Sequence, residues 1–157
     1  MKDIRTGIGF DMHPFVKGRP LILGGIKIPF GLGLEGHSDG DALVHSICDA
    51  LLGSCAKRDI GYHFPGIKKY KNISSLLILK KVRHMLKEYK IINIDVTVIA
   101  QKPRLSLLIN TMRKKIAGVL GIAVSGVSIK STTAKGLGAI GNSEAIASIA
   151  IASVMTN

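Results

Sequence analysis

The chain has 157 residues, the size of one ordinary domain, and 46% of them are hydrophobic, enough for a proper core and too many for a disordered tail. Aromatic residues make up only 4% and Trp is absent, so the core has to be aliphatic. The net charge is +12, but the basic residues are scattered (Lys57–Arg58, Lys68–Lys71, Lys80–Arg83, Arg113–Lys115), without aromatic interleaving or a nucleic-acid motif. A background composition bias and a polyanionic small substrate fit the charge equally well, and no nucleic-acid partner is expected. No membrane partner is expected either, because the longest apolar stretch, Ala145 to Met155, is too short to span a bilayer and no leader pattern opens the chain. The expected location is the cytoplasm or an organelle interior. Cys48 and Cys55, seven residues apart on one expected helix, stand about 10 Å apart, too far for a disulfide.

In chain order, residues 4–10 read as a first strand, and Leu21 to Phe30 as a strand pair turning at Gly24-Gly25. A glycine-rich loop over 31–40 leads into a helix over 40–56, with N-cap chemistry from Ser38, Asp39 and Asp41. An irregular loop over 57–72 precedes a helix over 73–89, a strand over 91–101 and a helix over 105–120. A short strand over 127–132 and a turn over 135–141 lead to a final helix over 143–155. That last segment is apolar or small all round, so as a helix it would be enclosed on every side, against another subunit or a tightly wrapped core. The alternation predicts a single domain over 1–157 of the α+β class (an α/β sandwich), one mixed sheet with helices on one face.

Two constellations carry chemistry. Asp11-x-His13 on extended chain points a carboxylate and an imidazole to the same side. On the helix, Asp41, His45 and Asp49 are spaced i, i+4, i+8 and form one polar stripe among apolar neighbours, which is costly to bury unless its groups find partners. Asp11, His13 and His45 together give two imidazoles and one carboxylate, a donor set that suits zinc and leaves a fourth tetrahedral position open for chemistry. Asp41 and Asp49 are expected to orient the histidines and not to ligate. His63 and His84 read as a loop histidine and a surface histidine.

The runs Gly9-Phe10-Asp11-Met12-His13, His37-Ser38-Asp39-Gly40-Asp41, Asp59-Ile60-Gly61, Phe64-Pro65, Ala100-Gln101-Lys102-Pro103-Arg104 and Lys130 to Gly141 occur in order along nearly the whole chain. In these the sequence resembles the 2-C-methyl-D-erythritol 2,4-cyclodiphosphate synthase family of the non-mevalonate isoprenoid pathway. The resemblance implies a phosphorus–oxygen lyase. The 2-phosphate of 4-diphosphocytidyl-2-C-methylerythritol 2-phosphate attacks the β-phosphorus, CMP leaves and a cyclic diphosphate forms. It implies a homotrimer, its sheets around the three-fold axis and its active sites between subunits. It also implies zinc on Asp11, His13 and His45, with His37 and Thr133 holding the diphosphate in line. Substrate contacts are implied for Ser38, Asp59, Ile60, Gly61, Phe64, Ala100, Lys102, Pro103, Arg104, Leu105, Thr132 and Lys135.

The sequence departs from that family at several places. Lys135 stands where a Glu usually helps hold a second divalent cation, magnesium or manganese, and a protonated lysine cannot ligate it. Gly66 to Lys69 replace acidic residues after Phe64-Pro65, and Ala139 replaces an aromatic residue. Asn142 replaces an Arg associated with an isoprenoid-diphosphate site on the trimer axis, which argues against that ligand here although Phe10 and Glu144 remain. The departures at 66, 135 and 142 motivate an alternative, a zinc-dependent phosphohydrolase with a linear product or a diverged member with an altered substrate.

Overall fold

The computed structural model describes residues 2–157. Seven strands run β1 (Ile4–Val16), β2 (Leu21–Leu23), β3 (Ile26–Ile28), β4 (Gly33–Leu34), β5 (Tyr89–Ile99), β6 (Val127–Thr132) and β7 (Ala145–Thr156). The helices are α1 (Ala42–Ser54), α2 (Ile60–His63), α3 (Ser75–Met85), α4 (Ile109–Leu120) and α5 (Gly138–Gly141), with single 3-10 turns at Lys68–Tyr70 and Val124–Gly126. Five strands form one mixed sheet in the order β4-β1-β7-β5-β6, in which only the β5–β6 pair is parallel. Strands β2 and β3 make a separate hairpin. Among the described residues no helix is long and apolar enough to cross a membrane.

The hairpin turns at Gly24-Gly25 as expected. Both glycines have positive φ (60° and 73°), the conformation a two-residue primed turn requires. Strand β6 lies where the sequence puts it, and α1, α3, α4 and β5 differ from expectation only at their ends. Strand β1 runs six residues further than expected, to Val16, so Asp11 and His13 lie within it.

The expected helix over 143–155 is a strand. β7 is the central strand of the sheet, paired antiparallel to β1 on one side and β5 on the other. Alanine has high helix propensity and drew the helical reading, but the segment alternates with period two. Ser148, Ala150, Ala152 and Val154 are buried, while Ile149 and Ile151 are exposed on the opposite face. The same alternation runs through β1, where Gly9 is buried and Ile8, Phe10 and Met12 are exposed. One face of the sheet thus takes the helices and the other is open.

The small residues have a reason. A Cβ on Gly7 would stand 2.2 Å from the Ala50 carbonyl oxygen, and one on Gly9 only 2.0 Å from that of Ser46. Helix α1 therefore lies with its backbone directly against β1. The buried Ser46 and Ser148 hydroxyls bond each other at 2.8 Å and lock the helix to β7 as well. Around this contact α1 buries Leu43, Val44, Ile47, Cys48, Leu51 and Leu52 in one aliphatic core with Ile78, Leu79, Val82, Ile94, Val96 and Val98. Both cysteines are free and buried. Burial, and next the nearby Asp49 charge, push the Cys48 thiol well up in pKa, so it is inert packing.

The close approach predicts that Gly9→Val, which has no room before the Ser46 carbonyl, destabilises the fold by at least about 1–3 kcal/mol. Urea unfolding measures this, and an unchanged midpoint would contradict the packing described.

Candidate metal centre and adjoining clefts

Because α1 sits on β1, His45 from its first turns comes down beside Asp11 and His13, which share the helix-facing side of the strand. The Asp11 Oδ2 is 2.7 Å from His13 Nε2 and 2.9 Å from His45 Nδ1, and the two ring nitrogens are 3.2 Å apart. Ligand atoms on a tetrahedral zinc with bonds of about 2.0–2.1 Å are separated by about 3.3 Å. The three atoms thus form, slightly contracted, one face of such a tetrahedron, and the residues fit a divalent metal. Burial pushes the Asp11 carboxyl up in pKa, but hydrogen bonds and charge from His13 and His45 outweigh it and hold Asp11 far below the usual carboxylate range. For His13 burial lowers the pKa, and the bond to Asp11 overrides it, so the net shift is upward.

The other nitrogen of His45 is held from a direction the sequence did not suggest. His45 Nε2 is 2.9 Å from Ser75 Oγ and 3.1 Å from Ser38 Oγ. The Ser75 hydroxyl also bonds the Asp39 carboxylate, which accepts the Ser75 backbone N–H at 2.9 Å. With the Ser75 proton given to Asp39, its oxygen is free to accept from His45 Nε2–H, so a metal that displaced the Nδ1 proton now facing Asp11 would find that nitrogen's lone pair aimed at it. Ser75 opens α3, thirty positions beyond His45, and no local pattern links the two.

Asp41 and Asp49, expected to orient the histidines without ligating, make their hydrogen bonds to backbone amides. Asp41 is fully buried, caps α1 through the Val44 N–H at 3.0 Å, and accepts the Gly24 and Gly25 N–H groups at 2.9 and 2.7 Å. It joins the hairpin turn to the helix that carries His45. Asp49 accepts the Ile60 N–H at 2.8 Å and so ties α2 to α1. Burial raises the pKa of both carboxyls. The i, i+4, i+8 stripe is real, but backbone amides satisfy its two acidic members.

The triad opens on a cleft of about 210 Å³ lined also by His37, Ser38, Ile60, Gly61, Phe64, Gly66 and Tyr70. Asp59 caps α2 by accepting the Tyr62 N–H at 2.9 Å, and so fixes the helix that presents Ile60 and Gly61. The His37 Nε2 donates to the Ile67 carbonyl at 2.8 Å. A second cleft of about 410 Å³ lies past the ends of β5 and β6, lined by Ala100, Pro103, Arg104, Leu105, Ser106, Ser131, Thr132, Thr133 and Lys135. Most of the expected metal and substrate residues are thus gathered into two separate clefts of one chain, His37 in one and Thr133 in the other, while Asp59 and Lys102 line neither. No carboxylate lines the second cleft, and Arg104 and Lys135 make it cationic. His63, expected in a loop, lies in α2 and bonds the Lys57 carbonyl at 2.7 Å.

Fold and site together define an α+β protein with a three-ligand candidate metal centre on the wall of a cleft. Residues 4–155 match the model of the YgbB family, and the chain belongs to that family. It is 52% identical to the 2-C-methyl-D-erythritol 2,4-cyclodiphosphate synthase of Clostridium botulinum (strain Okra / Type B1), over 94% of this chain and 97% of the relative. Identity to the synthase of Alkaliphilus metalliredigens (strain QYMF) is 53%, over 96% and 97%. Among solved structures, the bifunctional IspDF from Campylobacter jejuni superposes with a TM-score of 0.96 at 38% identity, covering all of this chain and 43% of that one. The IspF of Plasmodium falciparum in complex with CDP superposes with a TM-score of 0.87 at 36% identity, over 98% and 97% of the two chains.

The relay from Asp39 through Ser75 predicts that Ser75→Ala weakens metal binding by about 10–100-fold while the fold stays intact. Competition against a chromophoric chelator measures the affinity, and wild-type affinity would remove Ser75 from the relay.

Proposed function

We propose that this protein converts 4-diphosphocytidyl-2-C-methyl-D-erythritol 2-phosphate to 2-C-methyl-D-erythritol 2,4-cyclodiphosphate with release of CMP. The observation that carries the reading is the convergence of Asp11, His13 and His45 on the wall of the same cleft as His37 and Ser38. Relatives about half identical over nearly their whole length carry that synthase name, and a structural neighbour binds CDP. The two nitrogens and one carboxylate oxygen favour zinc, which when bound supplies Lewis-acid polarisation of a phosphoryl oxygen.

The remaining work is positioning and charge neutralisation, which dominate phosphoryl transfer. His37, its Nε2 fixed on Ile67, turns its other nitrogen and the Ser38 hydroxyl to the diphosphate. Asp59, with one oxygen capping α2, offers the other to a polyol hydroxyl of the methylerythritol portion, beside Ile60, Gly61 and Phe64. The Ala100–Leu105 segment takes the cytosine and adjoining phosphate. The hydroxyls of Thr132 and Thr133 and the cations of Arg104 and Lys135 meet phosphate oxygens. Lys135 serves there as a direct phosphate contact, so a second divalent cation has only substrate oxygens and water to hold it.

Because His37 and Thr133 lie in different clefts of one chain, the reaction needs the first cleft of one subunit beside the second cleft of a neighbour. The open sheet face supports a homotrimer built around it. Ile8 and Phe10 stand 69% and 58% exposed next to Ile151 and Ile149 across the β1–β7 register, an apolar patch that demands cover.

Phosphorus NMR of the protein incubated with the cytidyl substrate, zinc and magnesium tests the reaction. CMP with a cyclic diphosphate is expected. CMP with only a linear product would replace the proposal by hydrolysis. Ile151→Glu is expected to give a folded monomer without turnover, read by light scattering and the same assay. An active monomer would overturn the shared-site reading.

A further inference from the structure

Residues 36–38, which carry His37 and Ser38 past the triad, belong to no strand or helix, so their carbonyls need partners from elsewhere. Arg19 supplies two of them. It lies beyond the end of β1, and its Nη1 and Nη2 donate to the carbonyls of Gly36 and Ser38, one on each side of His37. The carbonyl of His37 itself accepts the Asn72 N–H at 2.7 Å. Three successive carbonyls are thus satisfied, the outer two by a single planar group. The Arg19 backbone comes this near because β4 has a glycine there: a Cβ on Gly33 would stand 2.5 Å from the carbonyl oxygens of both Arg19 and Pro20. Arg19 lines neither cleft and is not among the triad.

We infer that Arg19 is a positioning residue for the proposed phosphoryl transfer: its guanidinium fixes the backbone on both sides of His37 and so aims the His37 ring and the Ser38 hydroxyl into the cleft. The chemistry of that aim rests on the function proposed above, whereas the clamp itself is a property of the fold. A lysine cannot replace it, since one ammonium lacks the rigid fork that spans two carbonyls. Misplacing a group that acts in the transition state lowers kcat while leaving KM little changed.

The test uses Arg19→Ala and Arg19→Lys in the full chain, with metal content, oligomer mass and unfolding midpoint measured alongside. Both variants are expected to keep the metal and to lose about 10–100-fold in kcat, the scale of a displacement of about 1 Å at a reacting group. Millimolar guanidinium chloride is expected to restore activity to Arg19→Ala several-fold, and sodium chloride at the same ionic strength is not. In proton–nitrogen NMR the His37 ring signals and the amides of residues 36–38 are expected to shift or broaden in both variants. Wild-type kcat in either variant, losses that track metal content or unfolding, or absence of guanidinium rescue would each overturn the inference. If the wild-type protein leaves the cytidyl substrate unchanged, the proposed function fails and the NMR measurement decides the clamp alone: unmoved His37 signals overturn it.

Discussion

The backbone-to-backbone approach of α1 and β1 is the constraint on which the rest of this molecule depends. Gly7 and Gly9 let the helix rest on the strand, where a methyl group would collide with the Ala50 and Ser46 carbonyls. With the helix that low, His45 reaches the plane of Asp11 and His13, and three ligand atoms meet within 3.2 Å of one another. The same approach dictates small residues on β7, since α1 also crosses that strand, and the Ser46–Ser148 bond marks the crossing. The candidate metal site and the core packing are therefore one feature.

Acidic residues organise the loops around that contact. Asp41 holds the Gly24-Gly25 turn and the start of α1, Asp49 holds α2, and Asp39 holds the start of α3 while its bond to Ser75 reaches His45. Each carboxylate satisfies backbone N–H groups that would otherwise be orphaned at a helix start or turn. Half of the ten acidic residues, Asp11, Asp39, Asp41, Asp49 and Asp59, are used within this region. Few acidic groups are left to balance the basic surface, which fits a site that receives an anionic substrate.

The division of the expected site residues into two clefts and the apolar open face of the sheet bear on one question, how the proposed site is completed. Alternation on β1 and β7 sends glycine, Asp11 and His13 toward α1 and sends Ile8, Phe10, Met12, Ile149 and Ile151 the other way. In the proposed homotrimer, the neighbour that covers this face brings its own clefts with it.

The sequence by itself determined the local chemistry: the spacing Asp11-x-His13, the polar stripe through His45, the primed turn at Gly24-Gly25 and the strand over 127–132 are legible because each depends on neighbours within a few residues. The local pattern understates β1, which runs on to Val16, and gives the last strand the look of a helix. A run of alanine and isoleucine satisfies both periods, and only its place beneath α1 selects the extended form. Nothing local announces Ser75 and Arg19, whose partners lie 30 and about 17–19 positions away. The roles of Asp41 and Asp49 were likewise decided by the fold, which brings the amides of Gly24, Gly25 and Ile60 to carboxylates that the helical spacing alone would give to histidine. Residue types and short spacings fix which chemistry is possible; which groups meet, and which are already occupied, follows from how distant segments pack.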